Sequence, residues 1–471
     1  MIAPRDVRRA VVEAERSAGL GDTAPPRLVR ARPVSGPPMR APARGGAPRP
    51  RVPVRRGLGR PGGPRVGHRG DKGAGKVHRQ GDTPPGRHTA KRDDPSAYHE
   101  PVGIDLDALT LEDVRNRDGF KWSTAGPDVI PACIADMDFP VADAIREAVA
   151  RRAATDLGYP PWVDDPGAGP LAEAFAERME TRHGWRADPG HVRAFTDVDH
   201  AVQVLLHLAT RPGDAVALHV PAYHPFLHMI TAMGRRLLPI PIGDDGRFEP
   251  PDEPASVLLL VNPQNPSGRV FTRAELEALA EYAERHDVLV ISDEIHSDLV
   301  YAPARHIPFA TLLPERTVTL TSASKAFNLG GIRCAVAHLG PQRVREALGR
   351  EPEHLYGAVG VLAVEATIAA WRHGDAWLAE VLRILDRNRR MIAEFLPEWA
   401  GYRMPEGTYL AWLDLKIDDA AGFLERTARV RLSPGPGFGG RPGQVRLNFA
   451  TSRPILTEML TRISVALRRA A

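Results

Sequence analysis

The most constraining feature of the sequence is a repeated pattern in which a short apolar run is followed by a polar loop and then by a helix. The clearest unit extends from Ser256 to Ser292. Residues 257–261 predict a strand, two prolines end it, and Thr272 with Glu275 forms a capping box for the next helix. Continuous apolar strands that alternate with helices are typical of a mainly parallel sheet covered on both faces. The pattern therefore predicts an α/β fold.

Side chains that can do chemistry follow four of the predicted strands. The strands are predicted at residues 215–220, 257–261, 288–291 and 317–321. The side chains that follow them are, in chain order, Tyr223, Asn265, Asp293 and Lys325. Ligands of open α/β sheets bind at the carboxyl ends of the strands, so we expect these groups to converge on one crevice.

These groups are the ones that a pyridoxal phosphate site needs. A lysine amine forms a Schiff base with the aldehyde, a carboxylate keeps the pyridine nitrogen protonated, an amide holds the ring oxygen and an aromatic side chain stacks on the ring. Ser322 precedes the lysine, and Arg333 follows Gly330 and Gly331. A hydroxyl and a guanidinium beside a glycine-rich turn suit a phosphate. The residues therefore indicate pyridoxal phosphate as the cofactor.

Composition divides the chain of 471 residues near residue 92. Residues 1–92 contain 22 of the 62 Lys and Arg, 14 Pro, 15 Gly and no Phe, Trp or Tyr, and their net charge is +16 against −12 for the remainder. Such a segment cannot bury enough apolar surface to offset its ordering entropy, so we predict a disordered basic tail. A nucleic-acid-binding arm is the alternative, but it offers no aromatic stacking platform, and we expect no nucleic-acid partner.

Cysteine usage and hydropathy exclude several classes of protein. Cys133 and Cys334 lie far apart and form no metal-ligand spacing, which argues against a disulfide framework and a zinc site. No apolar run approaches the length of about 18 residues that a membrane span needs, and the N-terminus lacks the apolar segment of a signal peptide. We therefore expect a cytoplasmic protein that makes no contact with a membrane.

From about Asp105 to Leu467 the sequence resembles the fold-type I, class I/II aminotransferase superfamily. The resemblance rests on a lysine segment, TSASKAFNLGGIR at 321–333, and on an asparagine loop, NPQNPSG at 262–268. Three further strings resemble its cystathionine β-lyase branch, also called MalY/PatB-like: IADMDFP at 134–140, PAYHPF at 221–226 and SDEIHSDL at 292–299. The implied fold is a large domain with a mainly parallel central sheet in an α/β/α sandwich, plus a smaller α+β domain.

The resemblance also implies a domain organisation. Residues 93–158 are expected to contribute to the small domain, residues 159–343 to form the large domain that binds pyridoxal phosphate, and residues 344–471 to complete the small domain. Members of this family place the site at a subunit boundary, so a homodimer is expected.

Each residue that matches the family pattern has an implied role. Lys325 is expected to form the Schiff base and move protons, Asp293 to pair with the pyridinium, and Asn265 to bind the ring oxygen near the substrate. The other expected contacts are Tyr223 stacked on the ring, His296 near the ring oxygen, Ser322 and Arg333 on the phosphate, Tyr159 on the phosphate of the neighbouring subunit, and Arg446 on the substrate α-carboxylate.

Several of these assignments have alternatives. Arg453 competes with Arg446 for the carboxylate, and His296 is either a ligand of the cofactor or a histidine that only packs. Tyr223 is alternatively a core residue, and Tyr159 a turn residue before two prolines.

The turn at residues 196–200 departs from the family pattern. It reads Thr-Asp-Val-Asp-His where relatives usually have Thr-Pro-Gly-Val-Val. Carboxylates beside a phosphate are unfavourable in a low-dielectric site, so cofactor affinity is expected to be weakened unless Asp197 and Asp199 point away or His200 offsets them.

The resemblance implies a carbon–sulfur β-lyase that acts on cystathionine or another cysteine S-conjugate, a small amino acid. It would release a thiol, pyruvate and ammonia by α,β-elimination. An aminotransferase of an unidentified amino acid is the alternative, since the shared residues serve both reactions. A regulator that binds pyridoxal phosphate and acts through the basic tail is a third possibility, although residues 1–92 lack the apolar core of a helix-turn-helix module.

Overall fold

The computed structural model describes residues 105–162, 168–243, 246–352, 355 and 357–470. The predicted tail of residues 1–92 lies outside them. The strands are β1 Ile130–Pro131, β2 Val192–Phe195, β3 Ala215–Val220, β4 Arg236–Pro241, β5 Val257–Val261, β6 Leu289–Asp293, β7 Thr317–Thr321, β8 Ala335–Leu339, β9 Leu410–Asp414, β10 Val430–Arg431, β11 Ser433–Pro434 and β12 Gln444–Asn448.

The helices cover much of the remaining described sequence. They are α1 Leu111–Arg115, α2 Phe120–Ser123, α3 Asp143–Ala153, α4 Pro170–His183, α5 Val198–Ala209, α6 His224–Ala232, α7 Arg273–Arg285, α8 Gln342–Leu348, α9 Val361–His373, α10 Asp375–Phe395, α11 Ala420–Ala428 and α12 Arg453–Ala470. Short 3₁₀ helices occur at Pro189–His191, Phe309–Thr311, Pro314–Arg316, Glu398–Ala400 and Gly435–Phe438.

The largest sheet among the described residues has seven strands in the order β2-β8-β7-β6-β5-β3-β4. Neighbouring strands from β7 to β4 in this order pair in parallel, and β8 is antiparallel to both of its neighbours. The sequence predicted three of these strands with the observed bounds. The fourth, predicted at 288–291, is observed at Leu289–Asp293, so Asp293 is the last residue of its strand and does not follow it.

Helices cover both faces of this sheet. Side chains alternate between the faces of a strand, and in β3 Val216 and Leu218 pack into one apolar cluster while Ala215 and Ala217 pack into another. The first cluster includes residues of α5, α6 and α8, and the second includes residues of α7. Two buried faces explain why the strands read as continuous apolar runs.

Helix α7 shows how the sequence sets the start of an element. The Thr272 hydroxyl accepts a hydrogen bond from the backbone N–H of Glu275 at 3.3 Å, and the Glu275 carboxylate accepts one from the backbone N–H of Thr272 at 2.7 Å. This is the predicted capping box, and it satisfies backbone donors that a helix start otherwise leaves unpaired.

Two smaller sheets are formed mainly by the C-terminal part of the chain. Strands β11, β12 and β9 form an antiparallel sheet, and β1 pairs with β10 in parallel. The N-terminal β1 therefore packs with C-terminal strands, although the predicted domain bounds stay a prediction. Every helix in the described ranges is too short or too polar to cross a lipid bilayer.

Candidate active site

The register of the central sheet brings the predicted site residues to one edge. Val261 lies opposite Asp293 in the pair of β5 and β6, and Asp293 lies opposite Leu320 in the pair of β6 and β7. The loops that carry Asn265 and Lys325 therefore leave the sheet on either side of Asp293. The expected convergence at the carboxyl ends of the strands depends on this parallel register.

The Lys325 amine is half-buried and held by a backbone carbonyl. Its Nζ donates a hydrogen bond to the carbonyl oxygen of Ala135 at 2.9 Å, and the hydroxyl of the buried Tyr409 donates to the same oxygen at 2.7 Å. Burial lowers the pKa of Lys325, Arg446 and Arg333 lower it further, and nearby carboxylates oppose them. The site thus favours a neutral amine more than bulk water does.

Asp293 is a buried carboxyl at the end of β6. Its Oδ1 accepts a hydrogen bond from the backbone N–H of Ile295 at 3.1 Å. Burial raises the pKa of Asp293 to about 7, and the charges of Asp199 and Glu294 add to this effect. A cationic ring nitrogen beside this carboxyl would supply the positive charge that it lacks and would lower its pKa.

Tyr223 lies beside the carboxyl of Asp199, which the sequence singled out as a departure from the family pattern. The Tyr223 hydroxyl donates to Asp199 Oδ2 at 3.4 Å, and its ring packs edge-on against Phe226 with 5.2 Å between centroids. Burial raises the pKa of Tyr223, and burial together with Asp197 raises the pKa of Asp199. Asp199 therefore faces the site and does not point away from it.

Arg446 lies beside Asn265 at the site, whereas the competing Arg453 is exposed at the start of α12. The Arg446 guanidinium is 5% exposed, and its Nη1 donates to Asn265 Oδ1 at 3.0 Å. Its Nη2 donates to the Cys133 carbonyl oxygen at 2.8 Å, and it lies 4.7 Å from the ring centroid of Phe438. Burial lowers the pKa of Arg446 to about 10.

The predicted phosphate ligands already have partners within the chain. Ser322 Oγ donates to the Cys334 carbonyl oxygen at 2.6 Å and accepts from the backbone N–H of Ser324. Arg333 Nη2 donates to Asp197 Oδ2 at 2.5 Å. The His200 ring does not pair with the Asp197 carboxylate and so does not offset its charge, since the ring contacts the hydroxyl of Thr196 instead.

Two further predicted residues have contrasting environments. His296 is 2% exposed, burial lowers its pKa to about 3, and its Nδ1 has no hydrogen-bond partner within the described ranges. Tyr159 is 91% exposed, so its side chain is available to a neighbouring molecule. The roles assigned to both residues stay predictions.

Sequence reasoning missed the residues that hold the ADMDF string in place. The Asn328 side chain exchanges hydrogen bonds with the backbone of Met137 and donates to the Phe139 carbonyl oxygen. The buried Lys121 amine lies 2.9 Å from Asp138 Oδ1. Asn328 follows Lys325 by three residues, which is the one local signal that could have indicated its role.

The chemistry of the side chains fits pyridoxal phosphate. Lys325 offers an amine of lowered pKa, Asp293 a carboxyl for the ring nitrogen and Asn265 an amide whose Nδ2 is left to donate, because its Oδ1 is taken by Arg446. The unpartnered buried Nδ1 of His296 is a further polar group that a ligand could satisfy. The predicted phosphate ligands fit less well, because Arg333 already donates to Asp197 and would have to release or share that carboxylate in order to bind a phosphate.

Residues 127–463 match the protein family described as aminotransferase class I and II. The chain belongs to this family. The cystathionine β-lyase of Corynebacterium glutamicum is 33% identical over 370 residues, which cover 76% of this chain and 99% of that protein. The cystathionine β-lyase PatB of Bacillus subtilis is 33% identical over 377 residues, which cover 74% of this chain and 96% of that protein.

A solved structure gives the same result for the fold. The pyridoxal phosphate-bound C–S lyase from Staphylococcus hominis has a TM-score of 0.70 and 27% identity, and the match covers 77% of this chain and 99% of that structure. Within its family the chain belongs to the cystathionine β-lyase branch. The predicted family, branch and fold class are thereby confirmed.

Proposed function

We propose that this chain cleaves the Cβ–S bond of L-cysteine S-conjugates such as cystathionine and releases a thiol, pyruvate and ammonia. The predicted class of activity, a C–S β-lyase dependent on pyridoxal phosphate, is confirmed by the relatives and the cofactor-bound lyase described above. The observation that carries the proposal is the half-buried Lys325 amine, which is held by Ala135 next to the anion-binding Arg446.

Residues at the edge of the central sheet would hold the cofactor. Lys325 would bind the aldehyde carbon, Asp293 the ring nitrogen, Asn265 the ring oxygen, and Tyr223 the face of the ring. Ser322 and Arg333 would hold the phosphate. When bound, pyridoxal phosphate supplies an electron-accepting ring that stabilises the negative charge left at Cα of the substrate.

The chain's own residues bind the substrate and move its proton. The Arg446 guanidinium binds the α-carboxylate, as the fixed fork of donors suits a carboxylate. The neutral Lys325 amine removes the Cα proton, and its lowered pKa increases the neutral fraction at neutral pH. The buried Tyr409 hydroxyl shares the Ala135 carbonyl with Lys325 and so fixes the backbone against which the amine rests.

We further propose that the protein is a cytoplasmic homodimer. The support for a dimer is Tyr159, a large aromatic residue that is 91% exposed in the single chain. In a dimer its hydroxyl would contact the cofactor phosphate of the neighbouring subunit.

The first experiment measures pyruvate release from L-cystathionine by cofactor-loaded protein with no oxo acid present. Pyruvate release that Lys325→Ala abolishes supports the lyase and the role of the lysine. Lys416→Ala is the matched control, because Lys416 is 64% exposed and pairs with Asp414. If no pyruvate forms while the protein transfers the amino group to an added oxo acid, the lyase proposal is wrong and the chain is an aminotransferase.

A second experiment separates the enzyme from a regulator that acts through the basic tail. Deletion of residues 1–92 is expected to leave pyruvate release unchanged, because the predicted site residues all lie between Tyr159 and Arg446. Loss of turnover on deletion, with the cofactor still bound, would contradict the proposal that the tail is dispensable for catalysis.

A further inference from the structure

The residue after Asp293 is a second buried carboxylate, and none of the proposed contacts with the cofactor uses it. Glu294 is 1% exposed. Its backbone N–H donates to the Leu320 carbonyl at 2.8 Å, and its own carbonyl accepts from the Thr321 hydroxyl at 3.3 Å, so β7 fixes its position. Side chains alternate along an extended chain, and the Glu294 side chain bonds to that of Ser292. Glu294 therefore points away from the face that Asp293 presents to the site.

Three donors hold the Glu294 carboxylate in its ionised form. Its Oε1 accepts from the Ser292 hydroxyl at 2.9 Å and from the backbone N–H of Phe309 at 3.0 Å, and its Oε2 lies 2.8 Å from His306 Nε2. Hydrogen bonds donated to the charged form of a carboxyl favour that form. Because an ionised carboxylate can only accept, His306 Nε2 carries the hydrogen of the third bond.

The His306 ring does not cancel the charge of Glu294. Its side chain is 1% exposed, and its Nδ1 has no hydrogen-bond partner in the part of the chain that the structure describes. A second N–H at this nitrogen would bury a cationic donor without an acceptor, which is unfavourable, so the ring is neutral. The His183 ring packs 5.1 Å away between centroids, and burial lowers the pKa of His183 to about 4, so this ring is neutral as well.

The arginines of this region are balanced by other carboxylates. Arg178 and Arg182 both pair with Asp298, at 3.0 Å and 3.4 Å, and Arg178 also pairs with Asp375 at 2.6 Å. Two guanidinium groups and two carboxylates carry no net charge together. The charge of Glu294 is therefore stabilised by hydrogen bonds and is not cancelled by a cation of this cluster.

Asp293 is exposed to this uncancelled charge. It is 4% exposed and adjacent to Glu294 in the chain, and two buried charges at such short range interact strongly. The other charged groups that act on it are Asp199 of α5 and Lys325; the carboxylates raise the pKa of Asp293 and the amine lowers it. A cationic ring nitrogen bound at Asp293 would therefore also be attracted by Glu294.

We propose that Glu294 is a positioning residue of the cofactor site, whose buried charge holds the proton on the ring nitrogen through Asp293 without touching the ring. Its bonds to Ser292, Phe309 and His306 keep this charge in place. The charge would thereby keep the cofactor in its better electron-accepting form. The inference rests on the proposed role of Asp293 as the partner of the ring nitrogen.

The test compares two ligands of the cofactor-free protein: pyridoxal phosphate and 1-deazapyridoxal phosphate, in which a C–H group replaces the ring nitrogen. Their Kd values are measured by fluorescence titration at pH 8.5, above the pKa of about 7 of Asp293, so that both carboxyls are ionised before the ligand binds. The wild type is expected to prefer pyridoxal phosphate. Glu294→Gln should reduce this preference about tenfold, because the lost charge acts on the ring nitrogen.

Three further variants separate the charge of Glu294 from its hydrogen bonds. Glu294→Asp keeps the charge and should restore most of the preference. His306→Gln keeps a donor for Oε2 and leaves the charge of Glu294 unchanged, so it should lower the thermal stability but not the preference. His306→Lys places a cation beside Glu294 and should reduce the preference as Glu294→Gln does, which provides the test if Glu294→Gln does not fold.

The outcomes separate this inference from the proposals on which it rests. If the wild type prefers pyridoxal phosphate and neither Glu294→Gln nor His306→Lys changes that preference, the role of Glu294 is wrong and that of Asp293 stands. An equal reduction in Glu294→Gln and His306→Gln would also overturn it, because the charge would then not be the cause. If the wild type binds both ligands equally, the role of Asp293 has failed, and pyruvate release separately decides the lyase.

Discussion

The carboxylate of Asp197 occupies donors that a phosphate would use. It accepts from the backbone N–H of His200 at 2.7 Å as the N-cap of α5, from the Thr196 hydroxyl at 3.1 Å and from Arg333 Nη2 at 2.5 Å. A helix N-terminus and an arginine fork are the groups that bind phosphate in many proteins. We therefore predict that Asp197→Asn increases the affinity of the cofactor-free protein for pyridoxal phosphate.

The expected gain in cofactor affinity follows from the solvent exposure of the Arg333–Asp197 ion pair. Asn caps a helix about as well as Asp, so the substitution removes a charge and leaves the start of α5 intact. The side chains of Arg333 and Asp197 are 58% and 22% exposed, which places their ion pair among those that contribute about 0.2 to 1 kcal/mol. Release of Arg333 and loss of a repulsive charge together give about 1 kcal/mol, or about a fivefold lower Kd.

The assay is an equilibrium titration of cofactor-free protein with pyridoxal phosphate, followed by protein fluorescence and by the visible absorbance of the bound cofactor. Inorganic phosphate, titrated separately, reports on the anion site alone. Asp188→Asn is the matched control, because Asp188 accepts from the backbone N–H of Gly190 at 2.8 Å and is 61% exposed. Its removal changes the net charge equally and leaves Arg333 untouched.

An unchanged or weaker affinity in Asp197→Asn, with α5 still folded by circular dichroism, would refute this reasoning. It would mean that Asp197 orients Arg333 for the phosphate and does not compete with it. A fivefold gain for both pyridoxal phosphate and inorganic phosphate, absent from Asp188→Asn, would show that the pair lowers cofactor affinity.

Three further predictions concern buried titratable side chains. Lys121→Met should destabilise the protein by about 3–5 kcal/mol in chemical denaturation, because it leaves the 2% exposed Asp138 carboxylate without its cation, and the hydrogen bond from Trp122 Nε1 does not neutralise the charge. The exposed Arg273→Gln should cost less than about 0.5 kcal/mol, and equal losses would contradict the argument. Asp293→Asn should lower pyruvate release by about 100-fold or more, and near-normal turnover would exclude Asp293 as the partner of the ring nitrogen. Burial lowers the pKa of His219 to about 4, below its unfolded value of about 6.5, so the free energy of unfolding decreases as the pH falls from the higher value to the lower. His219→Gln should reduce this pH dependence by about 1.4 kcal/mol per pH unit, and an unchanged slope would contradict the prediction.

Sequence patterns predicted the parts of the fold that depend on near neighbours in the chain. The capping box of α7 lies within four residues, and the strand at 257–261 is a single apolar run. The site could be predicted in outline because Tyr223, Asn265, Asp293 and Lys325 each follow or end a strand, and parallel strands end at the same edge. Among these four strands, only the bounds of β6 differed from the prediction.

Contacts between distant parts of the chain could not be predicted in this way. Arg333 lies 136 residues from Asp197, and Tyr409 lies 274 residues from Ala135. Nothing near either residue in the sequence indicates its partner, since such pairs depend on the packing of complete elements. The sequence indicated that Asp197 was unusual, and only the structure shows that it holds the arginine expected to bind phosphate.

The positions of Arg446 and Arg333 connect anion binding with the basicity of Lys325. Both arginines lower the pKa of the Lys325 amine through their positive charge, and both are predicted to bind an anion. An anion on either one neutralises that charge, so the pKa of Lys325 rises as the anions bind. The amine is therefore neutral more often before either anion is bound, when it has to react with the aldehyde of the cofactor, and as a free amine it is a stronger base once the substrate carboxylate is bound. A substrate without an α-carboxylate loses this second effect as well as its contact with Arg446.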